Sequence, residues 1–418
     1  MILKFLGGAQ EVGRSAILLK DDRSLLLDYG IKIDHKMEYP ISTPDVDGLI
    51  VSHAHLDHSG ASPWLYENAP VPTFGTVATM ELSTLLLEDS LNIAKKQHHP
   101  RKFHKKQIRE FGNRFVSLDY GKAAMLGNFD IELYDAGHIC GSAITKVERT
   151  RAKDYQKVVY TGDFKLKKQS LHDGATVVES DVLIMESTYA NKDHPDRQKI
   201  VDELVTSIRG VLADGGTALL PAFAVGRSQE LLAILEAAGL SEMTHVDGMS
   251  RAATAIAMKH PSFLHNFRLL SDAVQRVNWI EELDDRREAL KEPSIILTTS
   301  GMLNGGPVLS YITKLNKHSK IFLTGYQPEE TNGRMLLEQG KIILDEVPRK
   351  ITTPVSFHDL SAHAGRSELV EYVRRSSPQV VICVHGSEEN ANSLVEDVKG
   401  MGIEAHAPKI GDTIKLGE

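Results

Sequence analysis

The stretch His53-Ala54-His55-Leu56-Asp57-His58 decides how this chain is interpreted, because it places four metal-binding side chains in one short turn. It directly follows the apolar run at residues 48–52, which is typical of a buried strand. Histidine nitrogens and carboxylate oxygens are preferred ligands of zinc and related divalent ions. A polar loop with histidines bound to backbone or water is the alternative, and further ligands elsewhere in the chain favour the metal site.

Two ions fit this stretch better than one, because its four ligands are too crowded for a single tetrahedral ion. A dinuclear hydrolytic site needs further imidazoles and a carboxylate that bridges ions about 3.5–4 Å apart. Three other predicted strands end in such side chains, namely His138 after residues 129–134, Asp163 after residues 158–162 and His385 after residues 380–384. Each alone could be a capped or solvated group. Together they predict that one edge of a sheet is lined with metal ligands.

These motifs together resemble the metallo-β-lactamase superfamily, and more narrowly its β-CASP ribonucleases. The matching stretches are residues 6–14, 53–58, 136–138, 161–163 and 384–386, with further matches at 221–230 and 299–303. Glu186, His363 and His385 match the motifs A, B and C of that branch. The similarity spans nearly the entire chain and is greatest to the nuclease subunit of the cleavage and polyadenylation specificity factor and its archaeal relatives that lack KH domains.

The resemblance implies an α/β fold, a metallo-β-lactamase αββα sandwich with an inserted parallel α/β β-CASP domain. The expected boundaries are 1–190 for the first part of the sandwich domain, 191–350 for the insert and 351–418 for the return segment. The residue pattern agrees, because short strands with Gly-rich turns give way near residue 190 to alternating helices and strands. With 418 residues, the chain also exceeds the ~250–300 at which one core usually divides. The active site is expected in the cleft between the two domains.

The resemblance also assigns roles to residues of the predicted site. One metal would be held by His53, His55 and His138, the other by Asp57, His58 and His385, and Asp163 would bridge them. Two zinc ions are implied, and manganese or iron could occupy similar ligands.

Three further residues match catalytic positions of the family. Asp28 matches an acid that orients the bridging water or a ligand. His363 matches the candidate general acid, and Glu186 the carboxylate that holds and charges it.

Five residues of the insert are candidate contacts for RNA phosphates, since glycine lets backbone N–H groups approach an anion and arginine offers a planar fork. They are Arg227, Ser228, Ser300, Gly301 and Arg334. Without the resemblance, Gly-rich loops between strand and helix would be ordinary connections.

The implied function is a metal-dependent ribonuclease in which a hydroxide held by two ions attacks an RNA phosphodiester, leaving 5′-phosphate and 3′-hydroxyl ends. Internal and 5′–3′ exonucleolytic cleavage use the same residues, so the mode stays open. A DNA nuclease of the superfamily is one alternative, although the position of His385 is apolar in that branch. A non-catalytic RNA-binding scaffold is another, although no ligand is missing here. A small-molecule hydrolase would need neither Glu186, His363 nor the insert.

Charge and composition add several expectations. The net charge of −8 is unlike that of most nucleic-acid binders. Residues 95–106, followed by Arg109 and Arg114, are nevertheless strongly basic, and they could neutralise RNA phosphates or form an ordinary solvated helix face. Two cysteines, Cys140 and Cys383, are too few for a disulfide framework and are expected to be reduced packing residues.

The sequence also suggests the compartment and partners. It contains neither an apolar run of ~18 residues nor a signal peptide, so we expect a cytoplasmic protein that does not bind membranes. RNA is the expected partner, and the family suggests a homodimer or other RNA-processing proteins as further ones. Since no KH extension precedes the first strand, affinity should come from the cleft or from partners. Ser387 stands where relatives usually carry an acid, which puts one contact near His385 in doubt.

Overall fold

The computed structural model describes residues 1–33, 37–67, 71–96 and 100–417. These residues form two compact units, of which unit 1 comprises Met1–Asp193 and Ala362–Glu418 and unit 2 comprises His194–Ser361. Unit 2 is therefore an insertion into unit 1.

The strands of the described chain are short, and most are rich in Val, Ile and Leu. In chain order they are β1 (Ile2–Gly7), β2 (Ala16–Lys20), β3 (Ser24–Leu27), β4 (Lys32–Ile33), β5 (Met37–Glu38), β6 (Gly48–Ile50), β7 (Thr73–Gly75), β8 (Phe115–Ser117), β9 (Ala123–Leu126), β10 (Phe129–Asp135), β11 (Ala143–Arg149), β12 (Lys157–Tyr160), β13 (Val182–Glu186), β14 (Thr217–Pro221), β15 (Thr244–Asp247), β16 (Asn278–Trp279), β17 (Ser294–Thr298), β18 (Lys320–Leu323), β19 (Lys341–Leu344), β20 (Val347–Lys350), β21 (Val355–Phe357), β22 (Val380–Val384), β23 (Glu404–His406) and β24 (Thr413–Lys415).

The helices alternate with strands most regularly in unit 2. They are α1 (Leu56–Ser59), α2 (Ser62–Leu65), α3 (Val77–Lys96), α4 (Lys105–Asn113), α5 (Arg197–Ala213), α6 (Arg227–Ala237), α7 (Ser250–Lys259), α8 (Phe267–Arg276), α9 (Leu283–Glu288), α10 (Val308–Ile312), α11 (Asn332–Gln339), α12 (Arg366–Ser376) and α13 (Glu388–Lys399). Two 3-10 turns lie at Ser241–Met243 and Pro261–Phe263. In the part of the chain that the structure describes, none of the helices combines the length and apolar character that a bilayer span requires.

Unit 1 contains two seven-stranded mixed sheets. The strand order is β24-β1-β2-β3-β6-β7-β8 in sheet 1 and β23-β22-β13-β12-β11-β10-β9 in sheet 2. The inner faces of both sheets share one buried apolar cluster, which contains Leu19 and Leu27 of sheet 1 and Ile131 and Ile184 of sheet 2. Since each fully buried Leu or Ile contributes ~1.5–3 kcal/mol, this shared layer holds the two sheets together.

Helices cover the outer faces of both sheets. Leu87 of α3 and Phe111 of α4 pack in a cluster with the outward side chains of sheet 1. Tyr372 of α12 and Leu394 of α13 do the same on sheet 2. Unit 1 is thus an αββα sandwich, which confirms the fold class predicted from the sequence.

Unit 2 is built on a parallel six-stranded sheet with the order β16-β15-β17-β14-β18-β21. Helices connect its strands, as a parallel sheet requires. Arg197–Ala213 forms α5, and Thr217–Pro221 and Ser294–Thr298 form β14 and β17, so helices and strands alternate here as the sequence pattern predicts. The predicted parallel α/β insert is therefore confirmed.

Candidate metal centre

The first set of candidate ligands contains three histidines and one aspartate of unit 1, His53, His55, His138 and Asp163, with one ligand atom from each within 4.8 Å of the others. His55 Nδ1 lies 3.1 Å from His53 Nε2 and 3.3 Å from His138 Nε2. Asp163 Oδ2 lies 3.5 Å from His53 Nε2. Nitrogen and oxygen atoms packed this closely without intervening hydrogens can surround a single cation.

The second set contains Asp57, His58, His385 and again Asp163, within the same 4.8 Å limit. Here the other carboxylate oxygen of Asp163 is used, and Oδ1 lies 3.3 Å from His58 Nε2 and 3.0 Å from His385 Nδ1. His385 Nε2 is 3.3 Å from Asp57 Oδ2. One carboxylate therefore faces both sets, and the structure brings together all seven residues for which the sequence predicts a ligand role.

The ligands come from loops of two sheets, not from the edge of one. His53 to His58 follow β6 of sheet 1, whereas His138, Asp163 and His385 follow β10, β12 and β22 of sheet 2. The expectation that one edge of a sheet is lined with ligands was therefore wrong. The alternation of apolar residues identifies a strand, but it does not reveal the sheet to which the strand belongs.

A close backbone approach fixes the loop that carries Asp57. A Cβ atom on Gly30 would lie 1.8 Å from the carbonyl oxygen of Asp57, so only glycine fits there. Backbone hydrogen bonds surround this contact, since Ser15 N donates to Asp57 O and Tyr29 N donates to His58 O. The position of the second ligand set thus depends on the strand connections of sheet 1.

Asp28 is fully buried and orients a ligand. Its Oδ2 accepts hydrogen bonds from His58 Nδ1 at 2.6 Å, from Ser52 Oγ at 2.7 Å and from the Tyr160 hydroxyl at 2.7 Å, while Oδ1 accepts from Ser52 N. With the proton on Nδ1 of His58 held by Asp28, its Nε2, which faces the second ligand set, is the nitrogen that would bind a cation. Of the two roles that the resemblance offers Asp28, these contacts favour ligand orientation.

His53 and His138 are oriented in the same way. Since the Ser52 hydroxyl donates to Asp28, its oxygen can accept from His53 Nδ1, 3.1 Å away. His138 Nδ1 donates to Ala362 O at 2.9 Å. In both rings Nε2 is then the unprotonated nitrogen, as a metal ligand requires.

His385 is held by residues that follow β13 and β1. The Thr188 hydroxyl donates to His385 O at 2.9 Å, and His385 N donates to Gly8 O at 2.7 Å. Ser387, where relatives usually carry an acid, caps α13 by accepting from Asn390 N at 3.2 Å. Serine and aspartate both fulfil this role, so the departure from the family pattern leaves the helix end capped.

His363 lies beside the ligands and contacts Glu186. Its Nδ1 is 2.9 Å from Glu186 Oε2 and 3.9 Å from Asp163 Oδ2, and Glu186 also accepts from Phe164 N at 2.8 Å. His363 is 22% exposed, whereas Glu186 is buried. Burial opposes a charge on His363, but Glu186 and Asp163 outweigh it and raise the pKa of the imidazole.

The pKa values of histidines shift in opposite directions in the two ligand sets. Burial and the neighbouring imidazoles hold the pKa of His53 and His138 well below its usual range, so both rings are neutral. Burial also opposes charge on His385 and His58. The carboxylates nevertheless outweigh it, raising the pKa of His385 to about 10 and that of His58 well above its usual range. Despite burial, the neighbouring imidazoles lower the pKa of Asp163 well below normal.

These residues fit divalent cations. His58 Nε2 and Asp163 Oδ1 are buried and make no hydrogen bond within the described residues, although both face the second ligand set. The carboxylates of Asp163, which is buried, and Asp57, which is 30% exposed, raise the pKa of two imidazoles, and a cation would take the place of the protons that they favour. The five imidazoles of the two sets suit zinc. A third group, Asp163, Glu186 and His363, is also close enough for a cation, but its imidazole is the predicted general acid.

The five candidate phosphate contacts lie at the carboxyl ends of parallel strands in unit 2. Arg227 and Ser228 begin α6 after β14, Ser300 and Gly301 follow β17, and Arg334 lies in α11 after β18. Their loops contact one another, since Gln327 donates to Gly301 O and Gly333 N donates to Met302 O.

The hydroxyl of Ser228 already donates to Phe223 O at 2.8 Å and lies 2.7 Å from Ser250 Oγ. Arg334 pairs with Glu338 at 2.5 Å. Ligands of open parallel sheets bind at this edge, and a phosphate-binding role for these residues is a proposal.

The structure describes the basic segment at residues 95–96 and 100–114, whereas residues 97–99 lie outside the described residues. The segment forms the end of α3 and most of α4 in unit 1. Phe103 is buried in the core beneath it. Cys140 and Cys383 are buried free thiols, as expected.

Several contacts of the site were missed by sequence reasoning. Ser52 and Tyr160 adjoin predicted motifs, so their position in the chain was the available signal. Gln169, whose amide donates to Gly137 O at 2.7 Å and so supports the His138 loop, carries no such signal. The same holds for Lys165, which donates to His363 O and to Glu368.

Three family models match successive parts of the chain. A metallo-beta-lactamase superfamily domain matches residues 17–191, a Beta-Casp domain residues 228–336, and a Zn-dependent metallo-hydrolase RNA specificity domain residues 348–408.

Relatives match the chain along almost its full length. It is 37% identical to Probable RNase MJ4 of Methanocaldococcus jannaschii, covering 100% of both chains. It is 37% identical to RNase aCSPSF2 of Saccharolobus solfataricus, with 99% of this chain and 85% of that one covered. It is also 34% identical to transcription termination factor FttA of Methanothermobacter thermautotrophicus, with 99% and 71% covered.

A crystal structure of a protein of unknown function from Enterococcus faecalis is similar at a TM-score of 0.64 and 15% identity, over 99% of both chains. At that identity the likeness shows the fold alone. The family models and the relatives agree, and the chain belongs to the β-CASP family of the metallo-β-lactamase superfamily.

Proposed function

We propose that this protein is a zinc-dependent ribonuclease that hydrolyses RNA phosphodiester bonds and leaves 5′-phosphate and 3′-hydroxyl ends. The observation that carries the proposal is the position of Asp163, whose two oxygens face two separate ligand sets while His363 lies 3.9 Å away. The names of the relatives support RNA as the substrate, since two of them are called RNases.

Each group of the chain has a separate task in this reaction. When bound, two zinc ions would lower the pKa of a water molecule and polarise phosphoryl oxygens. His53, His55 and His138 would hold one ion, Asp57, His58 and His385 the other, and Asp163 both. Asp28 keeps the His58 ring in the tautomer that ligation requires.

His363 is positioned to supply the proton that the leaving group needs. When water adds to phosphorus and the bond to the 3′ oxygen breaks, that oxygen must take up a proton. Although burial opposes the charge, Glu186 at 2.9 Å raises the pKa of His363 and so favours the protonated imidazole. The water oxygen then remains on the 5′-phosphate product and the proton of His363 on the 3′-hydroxyl.

Defined RNA substrates test this function. The protein, loaded with zinc, is incubated with 5′-monophosphate, 5′-triphosphate and circular RNAs of one sequence, and the product ends are mapped. We expect 5′-phosphate ends, loss of cleavage on chelation and recovery with zinc. Cutting of the circle identifies an endonuclease, and dependence on a 5′-monophosphate identifies an exonuclease. Ends carrying 2′,3′-cyclic phosphate, or full activity after metal removal, would contradict the proposal.

A pair of variants separates a catalytic from a scaffold role. His363→Ala should lower the cleavage rate at least ~100-fold, as expected for loss of a general acid. His406→Ala is the matched control, because the His406 side chain is exposed and its ion pair among the described residues is with the exposed Glu404. Unchanged cleavage in His363→Ala would favour a non-catalytic RNA-binding scaffold.

A further inference from the structure

The charges of the chain are strongly segregated. Residues 95–114 contain eight Lys and Arg residues and a single acid, Glu110, which amounts to +7. Because the net charge is −8, the remaining 398 residues carry −15. A cation-rich segment on an acidic protein is a local electrostatic feature that the net charge conceals.

Seven of these cations form one exposed surface, the basic patch, on the end of α3 and on α4. The patch consists of Lys95, Lys96, Arg101, Lys102, Lys105, Lys106 and Arg109, all of them exposed. Within the described part of the chain, no acidic side chain forms a close ion pair with any of them, although Lys96 interacts with Asp89 and Lys102 lies over the Trp64 ring. The eighth cation, Arg114, is 3.9 Å from Glu110.

The patch is polar throughout, because the apolar residues of the segment point inward. Phe103, Ile108 and Phe111 belong to the buried cluster beneath sheet 1. A surface that binds a bilayer would instead present such side chains outward. Helix α4 therefore offers positive charge with no apolar anchor, which suits a nucleic-acid backbone better than a membrane.

Like charges that lie close together on a helix repel one another and do not stabilise it. Their retention in one segment is explained if a polyanion neutralises them. The proposed RNA substrate supplies that polyanion, and binding to its phosphates releases counterions.

The end of α3 that carries Lys95 and Lys96 is the end opposite to the loop of His138. Thr79, near the start of α3, donates through its hydroxyl to Gly141 O, three residues after His138. From Thr79 to Lys96 the helix rises by ~26 Å at ~1.5 Å per residue. At an axial rise of ~3.4 Å per nucleotide in a stacked strand, this distance corresponds to about eight nucleotides.

We propose that the basic patch is a second RNA-binding surface, which holds the phosphate backbone of RNA longer than about eight nucleotides while the metal centre cleaves it. The inference rests on the proposed ribonuclease function. It specifies a minimum length for the RNA substrate, which the candidate metal ligands alone do not define.

The test compares two variants, each with four substitutions and the same change in net charge. In the patch variant, Lys96, Lys105, Lys106 and Arg109 are replaced by Gln, which keeps the helix propensity. In the control variant, Lys20, Lys122, Lys153 and Lys399, which are exposed in unit 1 without ion pairs among the described residues, are replaced by Gln. Binding is measured with His363→Ala in both backgrounds, so that RNA is not consumed, and cleavage is measured without it.

For an RNA of about 30 nucleotides, we expect the patch variant to bind at least ~10-fold more weakly than the control variant. The slope of log K against log salt should fall in magnitude by about 3, since each lost contact to a single strand removes ~0.7. For an RNA of about 6 nucleotides, both variants should retain the wild-type cleavage rate, which also shows that they are folded.

Two outcomes separate failure of the patch from failure of the function. If both variants bind the long RNA equally while the short RNA is cleaved, the basic patch does not bind RNA, but the proposed ribonuclease function is supported. If no RNA is cleaved but the patch variant binds long RNA more weakly, the patch stands and the nuclease function fails. A loss confined to vesicles containing anionic lipid, with RNA binding intact, would overturn the proposal in favour of a membrane surface.

Discussion

Lys165 and Glu368 form a buried ion pair, with Nζ 2.9 Å from Oε2, although they lie 203 residues apart in the chain. The same ammonium donates to His363 O at 2.9 Å. Glu368 also accepts from Lys167 N and Gly365 N. The pair therefore joins the loop after Asp163 to the loop that carries His363.

Replacing Lys165 by Met should destabilise the protein by about 3–5 kcal/mol, because it leaves the carboxylate of Glu368 buried without a cation. Chemical denaturation at pH 7 measures the change. Lys165→Met combined with Glu368→Gln should recover part of the loss, since no buried charge remains. Lys168→Met is the control, because its pair with Asp173 is exposed and should contribute less than ~1 kcal/mol. Equal denaturation midpoints for wild type and Lys165→Met would refute this role.

The contribution of this pair should depend on pH in one direction. Burial opposes ionisation of Glu368, but Lys165 outweighs it and lowers the pKa of the carboxyl below its ordinary 4.5. A depressed pKa gives stability that is present above the unfolded value and is lost as the pH falls through the folded value. The difference in unfolding free energy between wild type and Lys165→Met should therefore shrink below pH 4.5 and stay constant between pH 6 and 8.

Glu186→Gln should move the alkaline limb of the pH–rate profile to lower pH. The carboxylate raises the pKa of His363, and the protonated form that donates exists only below that pKa. Without the negative charge, His363 loses its proton at a lower pH, so the rate falls earlier as the pH rises. The readout is the cleavage rate from pH 5 to 9, with Glu179→Gln as an exposed control. If the cleavage rate falls at every pH but the alkaline limb stays at the same pH, this charge effect is contradicted.

Asp57→Asn should reduce the bound metal from two ions to one per chain. Asp57 contacts only the second ligand set, so the three histidines of the first set keep their geometry. Elemental analysis after dialysis against zinc measures the stoichiometry, and Asp22→Asn, an exposed acid, serves as control. If Asp57→Asn still binds two ions as tightly as wild type, Asp57 is not a ligand.

Asp28→Asn should weaken metal binding about 10–100-fold without changing the number of sites. The amide can still accept, but it loses the charge that holds the proton on His58 Nδ1 at 2.6 Å. Tyr160→Phe removes one donor to the same oxygen and should have a smaller effect. Zinc titration against a chelating dye measures both affinities, and an unaltered affinity in Asp28→Asn would show that the orientation of His58 does not depend on its charge.

The sequence alone predicted the class of the fold and the seven candidate metal ligands, which the structure brings together. Four of these candidates lie within six residues, and the others follow apolar strands, so local spacing identifies them. The alternation of strands and helices after residue 190 likewise predicts a parallel insert, because hydrophobic periodicity is a local property.

Only the tertiary structure decided which side chains support those ligands. Asp28 and Tyr160 are 132 residues apart, and His385 and Asp57 are 328 apart. Their contacts exist because two sheets pack face to face, which no local pattern specifies. The same packing placed the ligands on loops of both sheets and tied Lys165 to His363, since the long-range burial of polar groups selects partners by geometry and not by their distance in the chain.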